Sequence, residues 1–286
     1  GWMLPIVGDP QNHSANLSQR QMVEVRETLG IDESEITARL GSDTAAGRLC
    51  LDTGYRLQLQ KHQNDAPPEI EIPASFGRSY RGNTSAQQIF GQVLTEISRS
   101  HPAFRERLVT TSPDVASSTN LGGWINRVGI WGKSEQEAVP NESEARSLQW
   151  IESDQGQHIE LGISENNLFT CLGQLGLTFE MTGELLFPVG TLYDPFVRRG
   201  LDAFMVSIYS GARYIVVGTP SGVTLGPEGG SHQSVITPSI GIGLPDLAYY
   251  EPCFGQELEW ILLSALEKIR TRVESTYLRL TTKPVA

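Results

Sequence analysis

The chain has 286 residues, of which 39% are hydrophobic and 19% charged, enough apolar material for a sizeable core and too little charge for wholesale disorder. Its formal net charge of −11, from 33 acids against 22 Lys plus Arg, argues against a nucleic-acid coat or a polybasic membrane patch, because phosphates demand a local excess of cations. No apolar run reaches the roughly 18 residues of a membrane span. The three cysteines, Cys50, Cys171 and Cys253, are far apart without CxxC spacing, which points to reduced thiols in a cytoplasmic protein.

The first residues, "GWMLPIVGDPQNHSANLS", start on Trp and apolar side chains with no initiator Met and no secretory pattern, so they read as part of something longer. Residues 1–82 are expected to be an appendage and linker. Within them "LSQRQMVEVRETLGI" predicts one helix, with Ser18 as cap, Gln21 at the capping-box position and Gly30 as the stop. Prolines 67, 68 and 73 mark an extended connection. From Asn83 onward a single domain, 83–286, is expected. Ile89, Val93, Leu94 and Ile97 have helical spacing, and "RLVTTSPDV" reads as a short buried strand entering a loop. The acid-rich 134–150 region reads as a solvated loop. Then come strand 158–163, helix 166–176, strand 184–191, helix 196–209, strand 213–218, a Gly-rich loop over 220–245, strand 246–251 and helix 255–275. The last run, "TYLRLTT", is expected as an edge strand.

Such alternation predicts an α/β fold, a doubly wound, mostly parallel sheet with helices on both faces. Ligands of these sheets bind beyond the carboxyl ends of the strands. Glu165, Tyr193 and the 220–234 loop all fall at those ends, so they should converge on one crevice. "GTPSGVTLGPEGGSH" is no phosphate loop, because it lacks GxxxxGK[ST] and opens no helix. Spacing alone leaves two equal readings of Glu165: a functional acid, or a helix-start acid favoured by the dipole. His62, His101 and His158 have no motif around them and are expected to be solvated or structural.

Four stretches, in order, resemble the pyrimidine-binding central domain of thiamine-diphosphate enzymes of the transketolase superfamily: "TSPDVASSTNLGGW" (111–124), "GISENNLF" (162–169), "PVGTLYDPFVRRGLD" (188–202) and "GPEGGSHQSVITPSIG" (226–241). Within that superfamily "ARYIVVGTPSGVTLGPEGGSHQS", "YYEPCFGQELEWILLSALE" and "RGNTSAQQIFGQVL" look most like the homodimeric decarboxylating component of pyruvate dehydrogenase. The resemblance implies that Glu165 shares a proton with ring N1′ of the cofactor and so favours loss of its C2 proton, a task for a carboxyl group in an apolar pocket. It implies that Tyr193 and Phe196 seat the pyrimidine ring, and that His232 transfers protons near the reacting carbonyl. Glu228 stands where the family loop has an Asp, as a candidate substrate contact, and His13 resembles a histidine on the family's mobile loop that meets the lipoyl group. Asp114 and Ser118 are candidates to line the cofactor pocket or the dimer seam, with turn capping as an equal reading.

The chain also departs from the family pattern. Pro220 replaces a substrate-binding His of transketolases, and "RGNTSAQQ" has Ser and Thr where they place a sugar-phosphate Arg. Both departures speak against sugar phosphates. No GDG followed by an Asn some 25–30 residues later is present, so the resemblance implies that the diphosphate and Mg²⁺ are held by a domain outside this chain. The implied partners are a second copy or another chain that completes the site, and a lipoyl-bearing acyltransferase. The expected activity is that of a 2-oxo acid dehydrogenase, with this chain inactive by itself; ketol transfer and a non-catalytic dimerisation module are the alternatives.

Overall fold

Strand–helix alternation carries nine strands, among the described residues, into one sheet in the computed structural model, which describes residues 7–10, 14–57, 66–80, 82–133, 136–137 and 148–285. The chain divides into two compact units, Gly1–Lys61 and His62–Ala286. In the first, helix α1 spans Gln19–Leu29. Ser18 Oγ accepts from Gln21 N at 3.3 Å and Gln21 Oε1 accepts from Ser18 N at 2.8 Å, the reciprocal box its sequence predicts. Gly30 ends the helix in the left-handed region at φ 66°, as glycine allows. A second helix, α2, covers Ala45–Arg56.

The second unit follows in chain order as α3 (Ala86–Ser100), α4 (Pro102–Arg105), β1 (Leu108–Ser112), α5 (Gly122–Val128), β2 (Ile130–Trp131), β3 (Gln136–Glu137), β4 (Ile151–Ser153), β5 (His158–Glu160), α6 (Glu165–Gly176), α7 (Thr178–Thr182), β6 (Phe187–Leu192), α8 (Leu201–Tyr209), β7 (Ile215–Gly218), α9 (Thr237–Gly243), β8 (Leu247–Tyr250), α10 (Gly255–Arg270) and β9 (Ser275–Arg279). The order across the sheet is β3-β4-β2-β5-β1-β6-β7-β9-β8. Every pairing is parallel except β3 with β4.

The two-residue period of each strand divides its side chains between two cores. Ile215 and Val217 of β7 join α3, α5 and α10 on one face, whereas Val216 joins α6 and α8 on the other. Phe90, Leu94, Leu262 and Leu266 are fully buried on the first face; Leu168, Leu172 and Phe204 are fully buried on the second. Helices thus cover both faces, as expected.

Several expectations need correction. "TYLRLTT" forms no edge. Its strand, β9, lies between β7 and β8 with all five residues buried, so its apolar residues face cores on both sides and leave β8 as the rim. The expected strand 158–163 stops at Glu160, because Gly162 turns the chain at φ 65°. The expected helix 196–209 starts as a 3-10 turn over Asp194–Gly200 and becomes α8 only at Leu201. Helix 255–275 ends at Arg270, and the 220–245 loop contains two 3-10 turns and α9. Most of the acid-rich 134–150 stretch lies outside the described residues.

Residues 66–80 lie against the first core through Ile70, Ile72, Phe76 and Tyr80. Glu259 of α10, itself 0% exposed, anchors them: it accepts from Ser75 Oγ at 2.6 Å, from Phe76 N at 3.1 Å and from the Tyr80 hydroxyl. Burial would raise the Glu259 pKa, but these hydrogen bonds outweigh it and hold the group below its ordinary value of 4.5. Its stabilisation is therefore complete above that value and is lost as pH falls through the lower folded pKa. Pepsin cleavage between residues 66 and 80 is expected to accelerate progressively as the pH is lowered from 4.5, and to be fast already at pH 4.5 in Glu259→Gln. Equal cleavage of variant and wild type would remove the anchor from this account.

Candidate functional site

The chain leaves β1 to build β2, β4 and β5 on one side of it, then returns to place β6 on the other. A crevice opens at such a reversal, outside the carboxyl ends of the strands. The turn after β1 carries Asp114 and Ser118, the turn after β5 leads to Glu165, Tyr193 follows β6 directly, and the loop after β7 carries Glu228 and His232.

Glu165 is the first residue of α6 and is 8% exposed. Its Oε1 accepts from Arg199 Nη1 at 3.4 Å, and Arg199 in turn sits 4.2 Å above the centre of the Phe196 ring. The 3-10 turn of Asp194–Gly200 places Phe196 and Arg199 three residues apart on one side. Gly200 closes the turn with no side chain, and a Cβ there would stand 2.7 Å from the Glu165 carbonyl oxygen. Of the two apolar residues that flank Glu165 in sequence, Leu168 is buried, whereas Ile163 is 79% exposed.

Tyr193 and Phe196 are both half-buried and lie near-parallel at 22° with ring centres 6.4 Å apart. His232 meets both rings edge-on, at 5.8 Å from Tyr193 and 5.1 Å from Phe196. Its Nε2 lies 3.3 Å from Glu228 Oε2 and its Nδ1 lies 3.0 Å from Ser231 Oγ. Glu165, Arg199, Phe196, Tyr193, His232 and Glu228 therefore form one chain of contacts beyond the carboxyl ends of β5, β6 and β7. It offers a withdrawn carboxylate, two ring faces and an imidazole with a carboxylate partner, a set that can grip a flat heterocycle and move protons at its edge.

Asp114 and Ser118 lie apart from that chain. Both are exposed on the turn after β1; Ser118 Oγ donates to Val115 O at 3.1 Å, the turn-capping arrangement. His13 lies outside the described residues. His158 is wholly buried, its Nδ1 2.9 Å from Thr110 Oγ1, so it is structural. Among the described residues no group of three or more His, Cys, Asp or Glu could hold a metal ion, and no helix is long and apolar enough to cross a membrane.

Two groups under the site escaped the sequence reading. Arg199 had a visible signal, its three-residue spacing from Phe196. Asp194 had none: it is fully buried, accepts from Thr237 Oγ1 at 2.6 Å, from Arg279 Nε at 2.9 Å and from the Ser234 and Tyr277 hydroxyls, and so ties the His232 loop to β9.

Residues 71–284 match the model of the pyruvate dehydrogenase E1 component middle domain. The pyruvate dehydrogenase E1 component of Cupriavidus necator is 24% identical over 178 residues, 62% of this chain and 20% of that protein. The chain spans about a fifth of the length of the curated relatives it matches. Among solved structures, the transketolase of Pichia stipitis superposes with a TM-score of 0.61 at 17% identity, over 95% of this chain and 39% of that one. The transketolase of Leishmania mexicana gives 0.57 at 20% identity, over 73% and 27%. Likeness at these identities establishes the fold.

Proposed function

Because this chain belongs to the family of pyruvate dehydrogenase E1 component middle domains, we propose that it is the pyrimidine-binding half of a thiamine-diphosphate site in an enzyme that decarboxylates a 2-oxo acid and passes on the acyl group. When bound, thiamine diphosphate would supply the carbon nucleophile and electron sink that decarboxylation of a 2-oxo acid requires.

The observation that carries the reading is the withdrawn Glu165 carboxylate, 8% exposed, joined through Arg199 to the Phe196 ring. A carboxyl group taken out of water makes stronger hydrogen bonds, which suits it to share a proton with a ring nitrogen. The half-buried faces of Tyr193 and Phe196 suit a flat ring, since offset aromatic contact adds about 1 kcal/mol beyond burial. His232 is the proposed proton donor and acceptor at the substrate oxygen, and Glu228 orients it through Nε2. Asp114 and Ser118 are kept as residues at the pocket's rim, and His13 as a contact for the acyl acceptor.

Residues 1–82 are proposed as the appendage and linker and 83–286 as the pyrimidine-binding domain. The diphosphate and Mg²⁺ are assigned to a separate domain, supplied by a second copy or a partner chain. The exposure of Val206 (55%) and Tyr209 (93%), three residues apart on one side of α8, supports a seam closed by another chain, because exposed apolar surface is costly in water. A lipoyl-bearing acyltransferase is the proposed acyl acceptor and the cytosol the proposed compartment, in keeping with three unpaired cysteines.

Thiamine diphosphate titrated with Mg²⁺ into the complete protein is expected to bind, and the loaded protein to release CO₂ from a 2-oxo acid. Turnover of ribose 5-phosphate with no release of CO₂ would transfer the assignment to ketol transfer. Absence of binding would leave a non-catalytic dimerisation module.

A further inference from the structure

We infer that Glu160 is a positioning residue of this site: its carboxylate clasps the turn after β1 to the turn that launches α6, and so fixes where Glu165 stands. The inference deepens the proposed role of Glu165 and rests on it.

Glu160 ends β5, and Ser112, its register partner, ends the neighbouring parallel strand β1. A single oxygen, Glu160 Oε1, accepts three backbone N–H groups: Asp114 N at 2.7 Å from one turn, and Leu161 N at 2.9 Å and Gly162 N at 3.0 Å from the other. Oε2 accepts from Ser112 Oγ at 3.1 Å and lies 3.6 Å from His158 Nε2. Successive N–H groups folded round an anion form a concave nest. Both turns take the left-handed conformation to achieve it, Asp114 at φ 64° and Gly162 at φ 65°. For Gly162 that conformation is free, but for Asp114 it costs of order 1 kcal/mol, so something must hold the turn, and the Glu160 bond to its amide does.

The start of α6 makes the clasp consequential. Helices are ordinarily set by a side-chain cap, yet Ser164 makes no capping hydrogen bond at the N-terminus of α6. The position of Glu165, three residues beyond Gly162, is therefore governed by the preceding turn. His158 completes the arrangement from within: it shares a side of β5 with Glu160, is wholly buried, and is braced by Thr110. Burial raises the Glu160 pKa, but the His158 contact and the Asp114 and Gly162 amides outweigh it and hold the group below its ordinary value, so it is an anion at neutral pH. The signal in the sequence is "HIE", two polar residues two apart on one side of a strand whose neighbour offers Thr110 and Ser112.

The test is hydrogen exchange by mass spectrometry on the complete protein, as wild type, Glu160→Gln and Glu160→Ala, alongside titration with thiamine diphosphate and Mg²⁺. In Glu160→Ala the peptides covering 113–118 and 161–166 should exchange about tenfold faster or more, with β7 unchanged. Glu160→Gln, which keeps one acceptor oxygen, should fall between. The dissociation constant of thiamine diphosphate should rise about tenfold in Glu160→Ala, and Glu160→Ala should add no further loss of turnover to Glu165→Ala. Unchanged exchange, acceleration that includes β7 equally, or loosened turns with unaltered affinity and turnover would each overturn the inference. Wild-type protein that binds no thiamine diphosphate would sink the proposed function; the clasp would then be judged on exchange alone, standing if both turns loosen selectively and falling if they do not.

Discussion

Replacement of Glu165 by Gln in the complete protein is expected to lower turnover of a 2-oxo acid on the order of 10²–10⁴-fold, with folding and cofactor binding preserved. The substitution keeps shape and volume but removes the ionisable proton, so only a role in proton transfer predicts so large a loss. The fold should tolerate it, because the hydrogen bond made by the side chain goes to Arg199, whose side chain is 58% exposed; ion pairs with such exposure contribute about 0–1 kcal/mol. Steady-state turnover measured beside thermal unfolding separates the two effects. Turnover within tenfold of wild type would make Glu165 a helix-start acid and nothing more.

Arg279→Met is expected to cost about 3–5 kcal/mol of stability, lowering the melting temperature on the order of 10 °C. The Asp194–Arg279 pair is 0% and 4% exposed at its side chains. Loss of the guanidinium strands a carboxylate in the interior, and stranding a buried charge costs far more than the intact pair contributes. Arg279 also donates from Nη2 to Ser234 O at 3.0 Å and from Nη1 to Glu251 Oε1 at 2.6 Å, so the His232 loop and the end of β8 loosen with it. Asp194→Asn in the Arg279→Met background should recover part of the stability, because no buried charge is then left unpaired; Glu251, 47% exposed, stays hydrated. Urea unfolding of the wild type and the two variants checks this, and a loss below about 1 kcal/mol for Arg279→Met would contradict it.

Much of the architecture was legible in the chain itself. Periodicity found α3 and α10 because each buries one continuous stripe, and the α1 box was readable because its donors and acceptors lie three residues apart. The interior place of β9 was not readable: a strand's neighbours are set by register with distant segments, and "TYLRLTT" alternates in the same way at an edge or inside. The split between the 3-10 turn at Asp194–Gly200 and α8 was hidden too, since Pro195 is compatible with either start.

The candidate site divided on the same line. Glu165 and Tyr193 fall at recognisable strand ends, whereas Phe196, Glu228 and His232 could be named only from the resemblance of their stretches to the family, and the structure brings all five into one chain of contacts. Arg199 joins them through a neighbour in sequence. Asp194 and Glu259 work through partners 40 or more residues away, and no local pattern announces a buried carboxylate that holds a loop; Glu160 also reaches across 46 residues to Asp114, with "HIE" as its one local sign. Ile163, apolar and beside Glu165 in sequence, faces solvent because Gly162 turns the chain just before it.

The most direct test of the account is exchange of the C2 proton of thiamine diphosphate for deuterium, followed by NMR on the complete wild-type protein and on Glu165→Ala, each first shown to bind the cofactor with Mg²⁺. The account predicts rapid exchange in the wild type and exchange at the rate of free cofactor in the variant. Equal exchange in both would contradict it.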